Sequence, residues 1–517
     1  MKLPERPALG FRSRSATYTL IIGVVTGMLV AGLAIPFIFG TSLTTVTTAA
    51  PNPIGGATAG SRASVASGDA AAGATGAATP TGTGGVAGGT GEGGTTTGSG
   101  ALAGGTSAVA GLTASDRGVT ATTITIAFLL VDLGSLSQLG FGVPGFNVDD
   151  QAAYIRVFVD NINAQGGVYG RQIVPVFVSY DPTNQATSQA ACLAATQDHE
   201  IFAAVDSGGG LNEQGMLCFT NQNHTPLIAL GSFGTPPSWY QQSGGYLSTI
   251  NASGLRSLAN LAYLLDAQGL LKHPTTGQNR RIGILVRDFP GTVQTVKDGL
   301  IATLEQYGYE VVHRIEFSMD DGIAASQVPV AVNEMRTRNV DAVFVLTDFI
   351  IGTQFVQQAD RSAYRPLYYA SDFGPMTNDI AVTAMPSTFQ AVGVTTARTG
   401  EWRVGMAEPA VDAACRQIYA AATGNDPQRS DNTYGGMDSA CGFIDLLVRG
   451  TTNAGPELTR AKYVEGLQQI GSIEYPLYGG FSYMPGKTDG ADRIRTLAFD
   501  SSCSCWIPQG DFVDPRY

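Results

Sequence analysis

From about residue 119 onward the apolar positions follow two alternating patterns. Short β-rich runs, "TITIAFLLVD", "QIVPVFVSYD", "IFAAVDSGG" and "TPLIALGS", are separated by stretches in which apolar residues recur every three or four positions. In the first such stretch Tyr154, Ile155, Val157, Phe158 and Ile162 share one helical face. Two more pass through Cys192 and Cys218. The series resumes with "RIGILVRD", a helical "TVQTVKDGLIATLEQYG", the strand-like "YEVVHRIEF", a helix through Met335 and "VDAVFVLTD". Apolar strands separated by helices of this length predict parallel sheets covered on both faces, with ligands at the carboxyl ends of the strands. Two series in succession predict two α/β lobes.

Between the first helix and the second strand lies "NINAQGGVYGRQI", Asn161 to Ile173. Gly166 and Gly167 stop the helix, as residues able to adopt positive φ at a C-terminus do. The result is a helix, a tight turn and a strand.

The N-terminal part follows neither pattern. Lys2, Arg6, Arg12 and Arg14 precede "YTLIIGVVTGMLVAGLAIPFIFG", an uncharged run from Tyr18 to Gly40. As a helix it would be roughly 35 Å long, enough to cross a hydrocarbon core of about 30 Å. A cleaved signal peptide has the same order of regions but an apolar core of about 7–15 residues, so a retained anchor is the favoured expectation. Residues 1–17 would then be cytoplasmic and everything after Gly40 outside; cleavage would instead release the protein. Residues 41–116, as in "TPTGTGGVAGGTGEGGTTTGSGALAGG", are low in apolar side chains and are expected to form a disordered Gly/Ala/Thr-rich linker.

Composition narrows the chemistry. A net charge of -12, with no Lys/Arg cluster after Arg14, excludes a nucleic-acid partner. Six cysteines placed outside the cell are most simply three disulfides. Cys192 and Cys218 fall on neighbouring helices, Cys415 and Cys441 on two later ones, leaving Cys503 and Cys505 as a last pair or as free thiols. His199, His224, His273 and His313 are far apart and lack metal-ligand spacing. "GFGVPG" at Gly140–Gly145 fits G-x-G-x-x-G, but a polar loop separates it from the preceding strand and Pro144 lies inside it. "GSFGT" lacks the order of a nucleophile elbow. No catalytic set and no cofactor motif emerges, and the chain reads as a non-enzyme.

The stretch "NINAQGGVYGRQIVPVFVSYDPTNQATSQAACLAAT" resembles the type I periplasmic binding proteins of the branched-chain amino-acid (Leu/Ile/Val) binding family, the substrate-binding proteins of ABC transporters. Asn163, Gly166, Gly167, Val168, Gly170, Arg171 and Asp181 carry the match. It extends over roughly Val119 to Tyr517, through "RIGILVRDFPGTVQTVKDGLIATLEQYGYEVV" and "NTYGGMDSACGFIDLLVRG". The glycines and Arg171 are structural in this pattern, the arginine anchoring the corner. Two departures stand out: Met437 and Asp438 replace a Tyr-Asp pair, and "DSGGGLN" replaces a Ser or Thr that holds a ligand carboxylate. Gly208, Gly209 and Gly210 fit either an anion site at a helix start or a tight turn.

The resemblance implies a two-lobed α/β fold with three inter-lobe crossovers within residues 119–517. Lobe one would comprise 119–250 and 397–473, and lobe two 251–396 and 474–517. It also implies that a small polar organic ligand, an amino acid, an amide or a related acid, binds between hinged lobes for delivery to the permease subunits of an ABC importer. By position at the strand ends, the implied ligand residues are Ser207, Gly209, Ser232, Thr235, Phe289, Phe349 and Asp372, the last matching an acid that holds the α-ammonium of amino-acid ligands. The alternative is a ligand-sensing domain acting on a separate signalling partner, since about seventeen residues before the apolar run are too few for a signalling domain. An extracellular hydrolase is a distant third.

Overall fold

The computed structural model describes residues 102–134, 145–231, 234–289 and 291–517. The apolar run Tyr18–Gly40, most of the linker, most of "GFGVPG" and Ser232 lie outside the described residues. Among the described residues no helix is long and apolar enough to cross a membrane.

Lobe one holds a five-stranded parallel sheet in the order β2-β1-β3-β4-β5, formed by β1 (Thr123–Val131), β2 (Gln172–Tyr180), β3 (Ala203–Asp206), β4 (Leu227–Ala229) and β5 (Leu247–Thr249). From Ile126 onward every residue of β1 is buried, as a central strand covered by helices on both faces requires. The helix Val148–Ala164 starts where Asn147 accepts a hydrogen bond from the Asp150 amide, and it buries Tyr154, Ile155, Phe158 and Ile162 against the sheet. The helices Ala410–Thr423 and Asn432–Ala454 complete this core through Cys415, Tyr419, Tyr434 and Phe443.

Lobe two holds a seven-stranded mixed sheet in the order β14-β13-β10-β9-β8-β6-β7. Its strands are β6 (Ile282–Arg287), β7 (Val311–Phe317), β8 (Ala342–Leu346), β9 (Leu367–Ser371), β10 (Ala391–Thr395), β13 (Ile494–Asp500) and β14 (Cys505–Val513). The strands from β6 to β10 run parallel, whereas β13 is antiparallel to β10 and to β14. A two-stranded antiparallel pair, β11 (Gly471–Ile473) and β12 (Phe481–Tyr483), lies between the last helices and β13. The expected helix over 292–308 is present with a π-helical segment at Val296–Ile301.

The chain passes between the lobes three times. The first crossing follows β5, the second runs from Thr396 toward the helix at Ala410, and the third precedes β13. The first and third are paired: the Thr249 amide donates to the Thr488 carbonyl at 2.8 Å, and the Gly490 amide to Thr249 at 2.8 Å. The third crossing falls later than the expected boundary at 473/474, because Tyr475, Phe481 and Tyr483 belong to the lobe-one core. Stacking of Tyr475 on Phe481 at 4.4 Å holds this aromatic group to lobe one.

The linker also ends earlier than its composition suggested. Residues 102–115 run along lobe one as a strap: the Ala103 amide donates to Asp445 Oδ1 at 2.6 Å, the Thr106 amide to the Gly167 carbonyl at 3.0 Å and Ser115 Oγ to the Leu458 carbonyl at 2.5 Å. Leu102 and Ala103 also pack against the lobe-one core.

The corner after the first helix has the anchoring role expected of it. Gly167 has φ 68°, and a Cβ there would collide with the Arg171 carbonyl. Arg171, 1% exposed, donates to the carbonyls of Thr120 at 2.7 Å, Pro456 at 2.8 Å and Thr113 at 3.0 Å. It thus ties the strap, the first strand and the last lobe-one helices to one point. Disulfides join Cys192 to Cys218, Cys415 to Cys441 and Cys503 to Cys505.

Candidate ligand-binding cleft

The parallel strands of both sheets direct their carboxyl ends toward the crossings, and the loops that follow them form the candidate cleft. From lobe one comes the loop after β4. Gly234 lies so close to the Phe373 ring of lobe two that a Cβ would overlap it, and Gly291 of lobe two abuts Pro236 and Ser238. The Thr235 carbonyl accepts from the Gly254 amide at 3.0 Å, which fixes this loop to the start of the first lobe-two helix. Gly374 in turn packs on the Thr347 carbonyl. Segments carrying Phe289, Thr235, Asp372 and Phe349 are thereby linked in series, in that order. Thr235 is buried, Phe289 is half-buried, and Phe349 opens the helix Phe349–Arg361 behind its cap Asp348.

Ser207 and Gly209 sit after β3 and join this group through Leu230, whose amide donates to the Asp206 carbonyl at 3.1 Å. The three glycines here form a tight turn. Gly208 packs against Val131, Gly210 against Pro182, and Gly209 has φ 74°, so each position excludes a side chain for its own reason. Their amides face protein groups: Gly209 donates to Asp206 Oδ1 at 3.3 Å and Gly210 to the Tyr180 hydroxyl at 2.9 Å. Tyr180 donates onward to Asp206 Oδ1 at 2.7 Å. Burial pushes the Asp206 carboxyl up to about 6, with these hydrogen bonds opposing the rise. The protein's own carboxylate thus occupies the place an external anion would take.

Asp372 is likewise engaged. Its Oδ1 accepts from Thr377 Oγ1 at 2.5 Å, and its Oδ2 from the Thr396 amide and hydroxyl, both at 2.6 Å. A carboxylate offers about four acceptor sites, so most of this one's capacity is taken. These bonds fasten the end of β9 to the first residue of the second crossing.

Charged groups that were not singled out in the sequence flank the cleft. Arg287, at the end of β6, is 5% exposed and pairs with Asp321 at 2.5 Å and Asp348 at 3.3 Å. The visible signal was an arginine closing an otherwise apolar strand, in "ILVRD". At the hinge, Arg256 pairs with Asp489 at 2.8 Å and Lys487 with Asp492 at 3.0 Å. Tyr478 donates to Asn251 Oδ1 at 2.7 Å and Tyr483 to the Thr249 carbonyl at 2.9 Å, linking crossings through side chains from lobe one. Among the described residues no cluster of His, Cys, Asp and Glu has the makings of a metal site.

Two α/β lobes, three crossings and a cleft at the strand ends are the architecture of a two-lobed binding fold. A family model described as periplasmic binding protein matches residues 123–493, and the chain belongs to that family. Similar solved structures include a branched-chain amino-acid ABC transporter protein from Thermus thermophilus with bound valine, at 12% identity and TM-score 0.56, over 76% of this chain and 98% of that one. A fatty acid ABC transporter substrate-binding protein from Thermomonospora curvata aligns at 15% identity and TM-score 0.55, over 80% and 97%. A solute-binding protein from Rhodopseudomonas palustris in complex with 3,4-dihydroxybenzoic acid aligns at 13% identity and TM-score 0.53, over 76% and 98%. At these identities the likeness is one of fold. No curated protein sequence matches the chain.

Proposed function

We propose that this protein is an extracellular solute-binding protein that captures a small organic molecule between its lobes and delivers it to the permease subunits of an ABC importer. The observation that carries the reading is the hinge: three crossings join two α/β lobes whose strand ends, with their loops, meet at one cleft. Closure there would withdraw a ligand from water and bring groups from both lobes onto it. Ser207, Thr235, Phe289 and Phe349 are the proposed contacts, together with Ser232.

The side chains at the cleft support a proposal for the ligand class. Two half-buried rings of lobe two, Phe289 and Phe349, stand beside the strand ends, while Asp372 and the Gly209 and Gly210 amides are already hydrogen-bonded within the protein. This favours an amide or a small acid with an apolar body over an amino acid held by its ammonium. A thermal-shift panel on ligand-freed protein, covering Leu, Val, short amides, hydroxybenzoates and short fatty acids, tests it. One class should raise the melting temperature; folded protein indifferent to every class would count against the function, and a response to amino acids alone against the ligand assignment.

Delivery requires an outward location, and we propose that Tyr18–Gly40 anchors the module to the membrane. N-terminal sequencing of the membrane-associated protein should return residues preceding Tyr18. A new N-terminus near Ala50 on protein in the medium would show a cleaved signal instead.

A further inference from the structure

A groove of about 490 Å³ lies apart from the cleft, lined by Arg398, Met406 and Ala407 of the second crossing, Arg493 and Arg495 at the start of β13, and Phe512 of β14. Its volume is within the range of small-molecule sites. The sheet order places it across the hinge from the cleft: the cleft residues follow β6, β8 and β9 on one side of β10, whereas β13 and β14 lie on the other. We propose that this groove is a second ligand site, taking a small carboxylate with an apolar body.

The chemistry rests on how the arginines are partnered. Glu401, 3% exposed, is the shared acceptor of Arg495 at 2.8 Å, Arg398 at 3.3 Å and Arg429 at 3.4 Å. One carboxylate thus serves three guanidinium groups. Arg495 is 1% exposed, and its Nε has no hydrogen-bond acceptor among the described residues. Buried donors are usually hydrogen-bonded, so this one calls for an explanation. Asp511, also on the lining, is exposed, and Arg493 faces Asp514 at 3.1 Å, itself open to water. Asp412, which acts on Arg398, is pushed up to about 7 by burial and supplies only partial countercharge near neutrality.

The groove also has an apolar wall. The Phe512 ring lies 4.0 Å from the Arg495 guanidinium and packs against Gly479, where any side chain would strike it. Met406 and Ala407 stand on the opposite segment. Planar guanidinium forks match carboxylate geometry, and the Arg495 guanidinium lies between the Phe512 ring and the Met406 sulfur, 3.6 Å from its Nη1, so apolar groups border the charge. Because Arg495 pairs with Thr395 across β10 and β13, and Thr396 begins the second crossing, an occupant would touch the hinge itself.

Calorimetric titration of the full-length chain with benzoate tests the proposal, with acetate supplying the charge without the ring and benzyl alcohol the ring without the charge. Two variants at solvent-exposed positions localise the binding and should fold normally: Arg493→Gln removes a guanidinium, and Ala407→Trp fills the groove. Benzoate should bind more tightly than either partial probe, and each variant should weaken it by about tenfold or more. No benzoate binding, equal binding of benzyl alcohol, or benzoate affinity unchanged in both variants would overturn it; the last result would place benzoate elsewhere on the molecule.

Discussion

Asp372 shows how a single side chain changes the account. By position it matched a ligand-holding acid, yet its oxygens bind Thr377 and Thr396. Replacing it by Ala should cost about 1–3 kcal/mol of stability, the consequence of leaving buried donors without an acceptor, while an uncharged or anionic ligand keeps its affinity within about twofold. Urea denaturation and titration on the same variant separate the two effects; lost affinity with unchanged stability would return Asp372 to the ligand. Arg171 makes the opposite case, since its anchoring role was legible from the corner it occupies. The arginine is buried and joins three separate segments through carbonyls of exposed residues, so Arg171→Ala should cost about 1–3 kcal/mol, and Arg171→Lys should recover little because an ammonium cannot reproduce the fork. Calorimetry of both variants checks this, and full rescue by Lys would mean that charge alone matters there.

Among the elements, the strands and helices of both lobes were readable because burial on both faces leaves unbroken apolar runs, as in β6 and β8, and burial on one face leaves a helical repeat, as in Val148–Ala164. Two boundaries were not readable. The strap at 102–115 is held by scattered backbone and side-chain hydrogen bonds and by Leu102 and Ala103 packed on the core, which composition does not record. The hairpin of β11 and β12 is short, and its aromatic residues Tyr475, Phe481 and Tyr483 carry no periodicity that says which lobe they join. The site was legible only as a set of strand ends: whether Gly209 or Asp372 faces a ligand depends on partners such as Asp206 and Thr396 that tertiary structure supplies. The strap yields its own prediction. A chain starting at Val119 should be less stable than one starting at Leu102 by roughly 1–4 kcal/mol, the loss of several hydrogen bonds less the entropy of ordering a short segment. Equal melting temperatures for the two chains would show the strap to be incidental.

For the whole molecule, buried carboxyls set the pH dependence. Burial raises Asp206 to about 6 and Asp412 to about 7, and burial beside Asp412 and Glu408 holds Asp438 well above the usual carboxylate range. Unfolded, such groups titrate near 3.9, so the native state holds its protons more tightly. Their contribution is complete below about pH 4 and is lost as pH rises through about 6 and 7. Glu408, held low by Arg416, opposes this only at more acid pH. The melting temperature should therefore climb as pH falls from about 8 to about 5, and Asp206→Asn should flatten the lower part of that climb; a flat or falling profile in scanning calorimetry would contradict the burial argument. The central claim is that the two lobes close on a ligand. Spin labels at Gln197→Cys on lobe one and Ser326→Cys on lobe two, both exposed, report the distance between lobes by pulsed electron resonance. With the panel compound that stabilises the protein, the distance distribution should shift and narrow to a single closed population. An unchanged distribution at saturating ligand would contradict hinged capture.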